Sequence, residues 1–328
     1  MNYKTNRIFY FAIYHKMLNK KMIKIKSKAL NGNRLNDSDE RDILVFYPDH
    51  VNHGILFIEL AGLNGTPKLN NRFSEIITKL YKNGKIENSV IINPDFSTKF
   101  HVNQYMNSPA VGNYEDFIID EIIPEISEMF HTEKTVLFGK SSGGFGAYNL
   151  AIRHPELIDG FADHFGDSCF EYVYIPDIPV AYKYLNNRFL SDFINETSKK
   201  ADITDDEIRT LNIIGMSAFY SYNNDGFDLP FDVETGSFKS DVWQKWIYYD
   251  PAKNIDRYIN NLKRLSIYMD VGVKDEYNLF IGLRTMHNKL LKNKIEHCYM
   301  EFNGGHFGNS KRYEFSLPYF VDRFRDNF

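Results

Sequence analysis

A glycine-rich stretch that follows an apolar run constrains this chain more than any other segment. β-Branched and aromatic residues from Thr135 lead into Gly-Lys-Ser-Ser-Gly at 139–143, and small residues continue towards Arg153. The pattern predicts a strand that turns sharply into a helix, with Ser141 strained at the corner and glycines where side chains would clash. The hydroxyl of Ser141 would then stand clear of the sheet, beside the positive end of the helix. Ser141 is therefore a candidate nucleophile, and the alternative is a turn that only lets helix and sheet pack closely.

Two nucleotide-binding interpretations of the same glycines fail on spacing. A phosphate-binding loop requires glycine five positions before Gly139, and that position is Lys134. A dinucleotide fingerprint requires glycine three positions after Gly146, and that position is Asn149.

Length and charge limit the class of protein. The chain has 328 residues, a length that fits one large α/β domain or two small ones. Its net charge of −4, with both signs interspersed, argues against nucleic-acid binding. Its two cysteines, Cys169 and Cys298, have no metal-type spacing. We therefore expect no metal, and a reducing, cytoplasmic location.

The N-terminal segment, residues 1–21, is basic and contains a short apolar run at 8–14. This run is too short to span a bilayer, and it lacks a small-x-small cleavage site. We interpret it as a poorly ordered extension rather than a signal peptide or membrane anchor, and we expect no membrane partner.

The remaining residues, 22–328, read as one α/β domain in which strands alternate with helices, which predicts a mostly parallel sheet covered on both faces. The predicted strands are 22–28, 43–47, 55–60, 90–92, 135–139, 160–165, 265–271 and 297–302. The predicted helices are 70–81, 114–129, the helix after Ser141, 278–291 and 315–324. The alternation breaks down at about 170–250, a segment rich in aromatic residues and prolines. We interpret this segment as a cap inserted over the sheet; its aromatic side chains either line an apolar pocket or form the core of the cap.

A serine nucleophile needs a base, and the base needs a third group to orient it. Among ten histidines, His306 fits best because it follows the final strand in a Gly-Gly-His loop. His297 lies within that strand, His154 before a proline at the end of a helix, and His164 before the acid in chain order.

The acid has several candidates. Asp275 is preferred because it lies just past a late strand at the start of a helix, although an aspartate there is often only a helix cap. Asp270, Glu276 and Asp167 remain alternatives, Asp167 because it follows the preceding strand.

The oxyanion of an acyl-transfer reaction needs two backbone N–H donors. One is expected from Ser142, directly after the candidate nucleophile. The other is expected from the loop that follows strand 55–60, with Leu63 as first choice and Gly62 as second.

At these residues the chain resembles the putative esterase family of α/β-hydrolases, which includes esterase D, feruloyl esterases, enterochelin esterases and mycolyltransferases. The resemblance rests on three motifs and on the spacing of Asp275 and Gly-His at 305–306, and it covers most of the chain from about Ser27. The motifs are Gly-Lys-Ser-Ser-Gly-Gly-Phe-Gly-Ala at 139–147 with Arg-His-Pro at 153–155, Gly-Asn-Tyr-Glu-Asp-Phe at 112–117, and Glu-Ile-Ile-Pro at 121–124. It implies an α/β-hydrolase fold and a serine esterase with Ser141 as nucleophile, Asp275 as acid and His306 as base.

The chain departs from the family in three places. Ala-Gly-Leu at 61–63 stands where many members have His-Gly, and Ser142 replaces the commoner methionine. The segment 170–250 is longer than in compact members, so the resemblance leaves the substrate open.

The sequence as a whole predicts a serine carboxylic-ester hydrolase that acts on small-molecule esters or thioesters through an acyl-serine intermediate, without a cofactor. An acyltransferase that uses the same three residues is the alternative, and a non-catalytic binding protein on a hydrolase fold is a further one.

Overall fold

A computed structural model describes residues 17–62, 66–67, 71–200 and 202–325 of the chain. The strands are β1 (Leu18–Lys26), β2 (Glu40–Pro48), β3 (Gly54–Leu60), β4 (Ser89–Pro94), β5 (Asn107–Ser108), β6 (Gly112–Asn113), β7 (Thr132–Lys140), β8 (Gly160–His164), β9 (Ser266–Gly272) and β10 (Cys298–Phe302). The helices are α1 (Asn71–Lys82), α2 (Tyr114–Asp116), α3 (Ile123–Phe130), α4 (Ser142–Arg153), α5 (Phe170–Val173), α6 (Ile178–Leu185), α7 (Leu190–Thr197), α8 (Asp205–Tyr220), α9 (Ser240–Ile247), α10 (Pro251–Asn254), α11 (Ile259–Leu262), α12 (Leu279–Lys292) and α13 (Tyr313–Phe324).

Eight strands form one sheet in the order β1-β2-β4-β3-β7-β8-β9-β10. β2 runs antiparallel to both of its neighbours, and the other neighbouring pairs are parallel. The mostly parallel sheet that the strand–helix alternation predicts is therefore confirmed. Parallel strands joined through helices place their carboxyl ends along one edge, where functional loops collect.

Both faces of the sheet are covered by helices, and alternate side chains of each strand point into the core on one face or the other. On β3, Leu56 and Ile58 belong to the larger apolar core with α4 and α12, whereas Ile55 and Phe57 belong to a second core with α1 and α13. This two-sided burial explains why β3 is a continuous apolar run at 55–58 rather than an alternating one.

The N-terminal strand starts earlier than predicted. β1 begins at Leu18 rather than Met22, because Leu18–Lys21 pair with Val45–Pro48 of β2. In its second half, exposed Lys24 and Lys26 alternate with Ile23 and Ile25, as expected of an edge strand. Residues 1–16, which include most of the proposed extension, lie outside the described residues.

The helix predicted over 114–129 is irregular. It consists of α2, a π-helical segment at Phe117–Ile122, and α3. The motif at 112–117 contacts the Arg-His-Pro motif at 153–155. The Glu115 carboxylate bonds Nε2 of His154 at 2.7 Å and forms an ion pair with Arg153 at 3.0 Å. The contact ties this helix to the end of α4.

The segment between β8 and α10 carries five helices, α5 to α9. We call residues 170–250 the cap. Both ends of the cap are bound by one side chain, Asp250. Its Oδ1 accepts hydrogen bonds from the backbone of Cys169 and Ala252, and its Oδ2 accepts one from Phe170, all at 2.9 Å.

Candidate active site

The candidate nucleophile lies where the sequence places it, at the turn between β7 and α4. Ser141 has φ 56° and ψ −127°, a conformation that costs an L-residue free energy. Its backbone N–H donates to the carbonyl of His164 at 3.1 Å, which anchors the turn to the neighbouring strand. The strain and the anchoring together hold the side chain at the carboxyl edge of the sheet.

The turn needs glycine because β3 packs directly against it. A Cβ atom on Gly143 would lie 1.9 Å from the carbonyl oxygen of Leu60, and one on Gly139 would lie 2.3 Å from the same atom. Both distances are far inside van der Waals contact. The pattern therefore serves a packing function as well as exposing Ser141, and it brings the loop after β3 beside the serine.

His306 follows β10 and is bound on two sides. Its Nδ1 lies 2.9 Å from Oδ2 of Asp275, and its backbone N–H donates to Oε2 of Glu276 at 2.5 Å. Its ring contacts Phe165 and Tyr277, with ring centroids 5.1 and 4.8 Å away. These contacts fix the orientation of the imidazole.

Asp275 follows β9 and is fully buried at its side chain. Its Oδ1 accepts hydrogen bonds from the backbone of Tyr277 at 2.9 Å and of Leu279 at 3.4 Å, where α12 begins. The same carboxylate thus caps the start of the helix with one oxygen and binds His306 with the other.

The alternative acids have other partners. Asp270 lies in the core, where its Oδ1 bonds Nδ1 of His164 at 2.7 Å and its Oδ2 accepts from Arg312 at 2.7 Å. Glu276 contacts His306 through the backbone N–H of that residue. Asp167 bonds to a cluster of neutral side chains, described below. Among the candidates, the structure brings Asp275 to the His306 ring.

A cavity of about 270 Å³ opens in front of the turn, and both Ser141 and His306 line it. Three carboxylic acids and two cationic side chains also line the cavity: Glu59, Asp167, Asp177, Lys140 and Arg209. Burial raises the pKa of Glu59 to about 7 and that of Asp177 to about 6. Burial likewise lowers the pKa of Lys140 and raises the pKa of Asp167.

Of the candidate oxyanion donors, Ser142 and Gly62 belong to the described residues. α4 begins at Ser142, so the first backbone N–H groups of that helix have no intrahelical acceptor. Gly62 lines the cavity, and a Cβ atom on it would lie 3.7 Å from that of Ser141. Leu63, the first choice for the second donor, lies outside the described residues.

Sequence reasoning did not find Gln104 and Tyr174. Gln104 lies in the loop after β4, and its Nε2 donates to Ser142 Oγ at 3.0 Å. Tyr174 lies in the cap and donates to Asp167 at 2.9 Å. Neither residue belongs to a spacing pattern, because the contacts join segments far apart in the chain. No group of three or more metal-ligating side chains occurs among the described residues.

The sheet order, the strained serine turn and the cap define an α/β-hydrolase fold, and similar solved structures agree. A ferulic acid esterase is 16% identical, with a TM-score of 0.59 over 93% of this chain and 98% of that chain. The fluorophosphonate-binding serine hydrolase F of Staphylococcus aureus is 12% identical, with a TM-score of 0.58 over 93% and 98%. An S-formylglutathione hydrolase from Agrobacterium tumefaciens is 14% identical, with a TM-score of 0.52 over 94% and 92%.

A family model described as "Putative esterase" matches residues 39–318. The chain therefore belongs to the putative esterase family, which confirms the resemblance seen in the sequence. A search of curated proteins finds no significant match. In the described part of the chain, no helix has the length and apolar character needed to cross a membrane.

Proposed function

We propose that this member of the esterase family is a serine hydrolase of carboxylic esters or thioesters that acts through an acyl-serine intermediate. The observation that carries the proposal is the His306–Asp275 pair, with a 2.9 Å bond, at the cavity that Ser141 also lines. A strained serine that served only for packing would need no oriented imidazole at the same cavity.

In the proposed mechanism, Nε2 of His306 removes the proton from Ser141 as Oγ attacks the ester carbonyl. The bond between Asp275 and Nδ1–H fixes the tautomer that leaves Nε2 free to accept this proton, and it stabilises the imidazolium. The proton then passes to the leaving group as the carbonyl re-forms. Water, activated by the same imidazole, hydrolyses the acyl-serine.

The negative charge on the carbonyl oxygen would be stabilised by backbone donors. We assign one to the N–H of Ser142, which stands at the positive end of α4. The second comes from the loop after β3, with Leu63 as first choice and Gly62 as second. Removing one such donor typically costs a factor of about 10²–10³ in rate.

The substrate is proposed to be a small-molecule ester. One similar structure is named as an esterase of ferulic acid and another as a hydrolase of S-formylglutathione, so both oxygen and sulfur esters are reasonable substrates to test. The proposed chemistry requires no cofactor. We keep the cytoplasm as the proposed location, since both cysteines are free.

The test uses short p-nitrophenyl esters and a fluorophosphonate probe. Wild-type protein should hydrolyse the esters and become labelled at Ser141. Ser141→Ala should lose the label, and both Ser141→Ala and His306→Ala should lower kcat by several orders of magnitude. Unchanged turnover by Ser141→Ala would refute the mechanism.

A second arm of the same experiment separates hydrolysis from acyl transfer. Adding an alcohol acceptor should leave the acid as the main product if water is the natural acceptor. Dominant formation of the new ester would identify an acyltransferase with the same three residues and would overturn the hydrolase assignment.

A further inference from the structure

The buried aromatic side chains of the cap pack against one another and against Phe145 of α4, as part of the larger apolar core. The ring of Tyr174 lies 5.0 Å from that of Phe170 and 5.6 Å from that of Trp246, and Tyr220 lies 5.6 Å from Trp246. The described cap residues that line the cavity are Val173, Asp177, Ile208, Arg209 and Asn212. Of the two expectations for these aromatics, the cap-core one is correct for the described residues, and the cavity wall on this side is largely polar.

Asp167 stands out among the residues of this cavity. It is 5% exposed, and its Oδ2 accepts hydrogen bonds from Tyr174 at 2.9 Å and from Ser142 and Gln104 at 3.3 Å. In the described part of the chain, no residue donates a hydrogen bond to Oδ1, and no cationic side chain forms an ion pair with this carboxyl group. Because Asp167 lines the cavity, a ligand that displaces water there must supply a hydrogen bond to Oδ1 or leave this oxygen unpaired.

The position of this carboxyl group is fixed by the cap. Tyr174 is fully buried between Phe170 and Trp246, so its hydroxyl has little freedom to move away from Oδ2. The cap core thus orients Asp167 without contacting the cavity itself. A preorganised acceptor of this kind is suited to selecting one hydrogen-bonding group on a ligand.

We propose that Asp167 determines substrate specificity by accepting, at Oδ1, a hydrogen bond from a hydroxyl or N–H group of the ester. The proposal rests on Ser141 being the nucleophile. Ser142 directly follows Ser141, and its Oγ lies 3.3 Å from Asp167. The carboxyl group is therefore close to the place where the ester carbonyl reacts, and the bonding group belongs a few covalent bonds away from that carbonyl. A purely apolar substrate leaves Oδ1 unpaired.

The test compares matched esters on the two sides of the carbonyl. On the acyl side, p-nitrophenyl 3-hydroxybutyrate is compared with p-nitrophenyl butyrate; on the alcohol side, 2-hydroxyethyl butyrate is compared with propyl butyrate. For at least one pair, the wild type should favour the hydroxyl-bearing ester in kcat/KM by about tenfold to a hundredfold. The pair that shows the preference identifies the side of the substrate that Asp167 contacts.

Two substitutions sharpen this result. Asp167→Leu should remove the preference by slowing the hydroxyl-bearing ester far more than the plain one. In Asp167→Asn, the amide oxygen should take the position of Oδ2, because three donors surround that position. The NH₂ group then takes the position of Oδ1 and faces the cavity. A methoxy ester accepts hydrogen bonds but cannot donate one. The ratio of kcat/KM for the methoxy ester to that for the hydroxyl ester should therefore be higher in this variant than in the wild type. Asp192→Asn, exposed on the cap, is the control and should change neither ratio.

Three results overturn the proposal. The first is a wild type with no hydroxyl preference in either pair. The second is a variant that slows plain and hydroxyl esters equally with an unchanged circular dichroism spectrum, since Asp167 then acts only by positioning Ser142. The third is absence of ester turnover and of fluorophosphonate labelling in the wild type, which removes the proposed function as well. In the first two cases, labelling at Ser141 persists, so the proposed function stands.

Discussion

Nδ1 of His306 lies 2.9 Å from Oδ2 of Asp275, and both residues belong to loops that leave the carboxyl ends of adjacent parallel strands. A second pair, His164 and Asp270, lies at 2.7 Å inside the core with both side chains fully buried. The described residues thus include these two histidine–aspartate pairs, and of the two histidines only His306 lines the cavity. Accessibility, rather than bond length, distinguishes the proposed catalytic pair from the structural one.

The first prediction concerns the acid. Asp275→Asn should lower kcat by about 10³–10⁴, because an amide at this position no longer fixes the required tautomer of His306. Glu276→Gln should change kcat by less than about tenfold, because its carboxylate bonds the backbone N–H of His306 rather than the imidazole ring. Steady-state kinetics on one ester checks both. A larger loss in Glu276→Gln than in Asp275→Asn would contradict the assignment.

The second prediction concerns the turn. Gly143→Ala should unfold or strongly destabilise the protein, since its Cβ would lie 1.9 Å from the Leu60 carbonyl oxygen. Gly62→Ala is the matched comparison, because its nearest atom, the Lys140 carbonyl oxygen, lies 3.2 Å away. Thermal unfolding should show a large decrease in Tm for the first variant and a small one for the second. Similar Tm values for the two would contradict the packing argument.

The third prediction concerns acid stability. Burial alone would raise the pKa of Asp270, but His164 and Arg312 outweigh it and hold that pKa below its usual value. The carboxylate therefore stabilises the fold above the unfolded-state pKa of about 3.9, and this contribution is lost as the pH falls through the lower folded-state value. Arg312→Met removes one partner of a buried ion pair, which typically costs about 3–5 kcal/mol.

Acid unfolding followed by circular dichroism checks this prediction. The midpoint should shift to higher pH in Arg312→Met. The control is Arg325→Met, because Arg325 pairs with Asp322 on the surface at 68% side-chain exposure. Equal midpoints for the two variants would show that the Asp270–Arg312 pair does not set acid stability.

The fourth prediction concerns Asp163 on β8, whose pKa is raised by burial to about 7. Its ionised form is disfavoured in the folded state, so this group reduces stability as the pH rises from about 4 to 7. The slope reaches at most about 1.4 kcal/mol per pH unit. Asp163→Asn should flatten the dependence of the unfolding free energy on pH, measured by urea unfolding between pH 5 and 8. The exposed-site control, Asp192→Asn, should keep the wild-type slope.

Much of the fold follows from local sequence signals. The serine turn could be predicted because its glycines, its strand and its helix lie within about twenty residues of one another. The proximity of His306 and Asp275 could be predicted because each follows a late strand, and the carboxyl ends of parallel strands lie along one edge of the sheet. A side chain at position 143 would clash with the Leu60 carbonyl, which explains why this turn needs glycine there.

Other features of the fold and the site could not be predicted from the sequence. The aromatic composition of the cap does not distinguish a cap core from a pocket lining, because both bury rings. The bond from Tyr174 to Asp167 and the bond from Gln104 to Ser142 depend on loops that meet only in the folded chain. The π-helical turn at Phe117–Ile122 is also hidden, since the spacing of Ile118 and Ile122 fits an ordinary helix.

Asp250 binds the backbone at both ends of the cap, so that Cys169 and Phe170 lie beside Ala252. Because the two ends of the segment meet at one side chain, a change in its length need not move the strands that precede Ser141, Asp275 and His306. Relatives could therefore differ in this segment and still keep the chemistry proposed for Ser141, Asp275 and His306. In the laboratory, the same closure marks residues 170–250 as the segment to graft between relatives, with Asp250 retained as the joint.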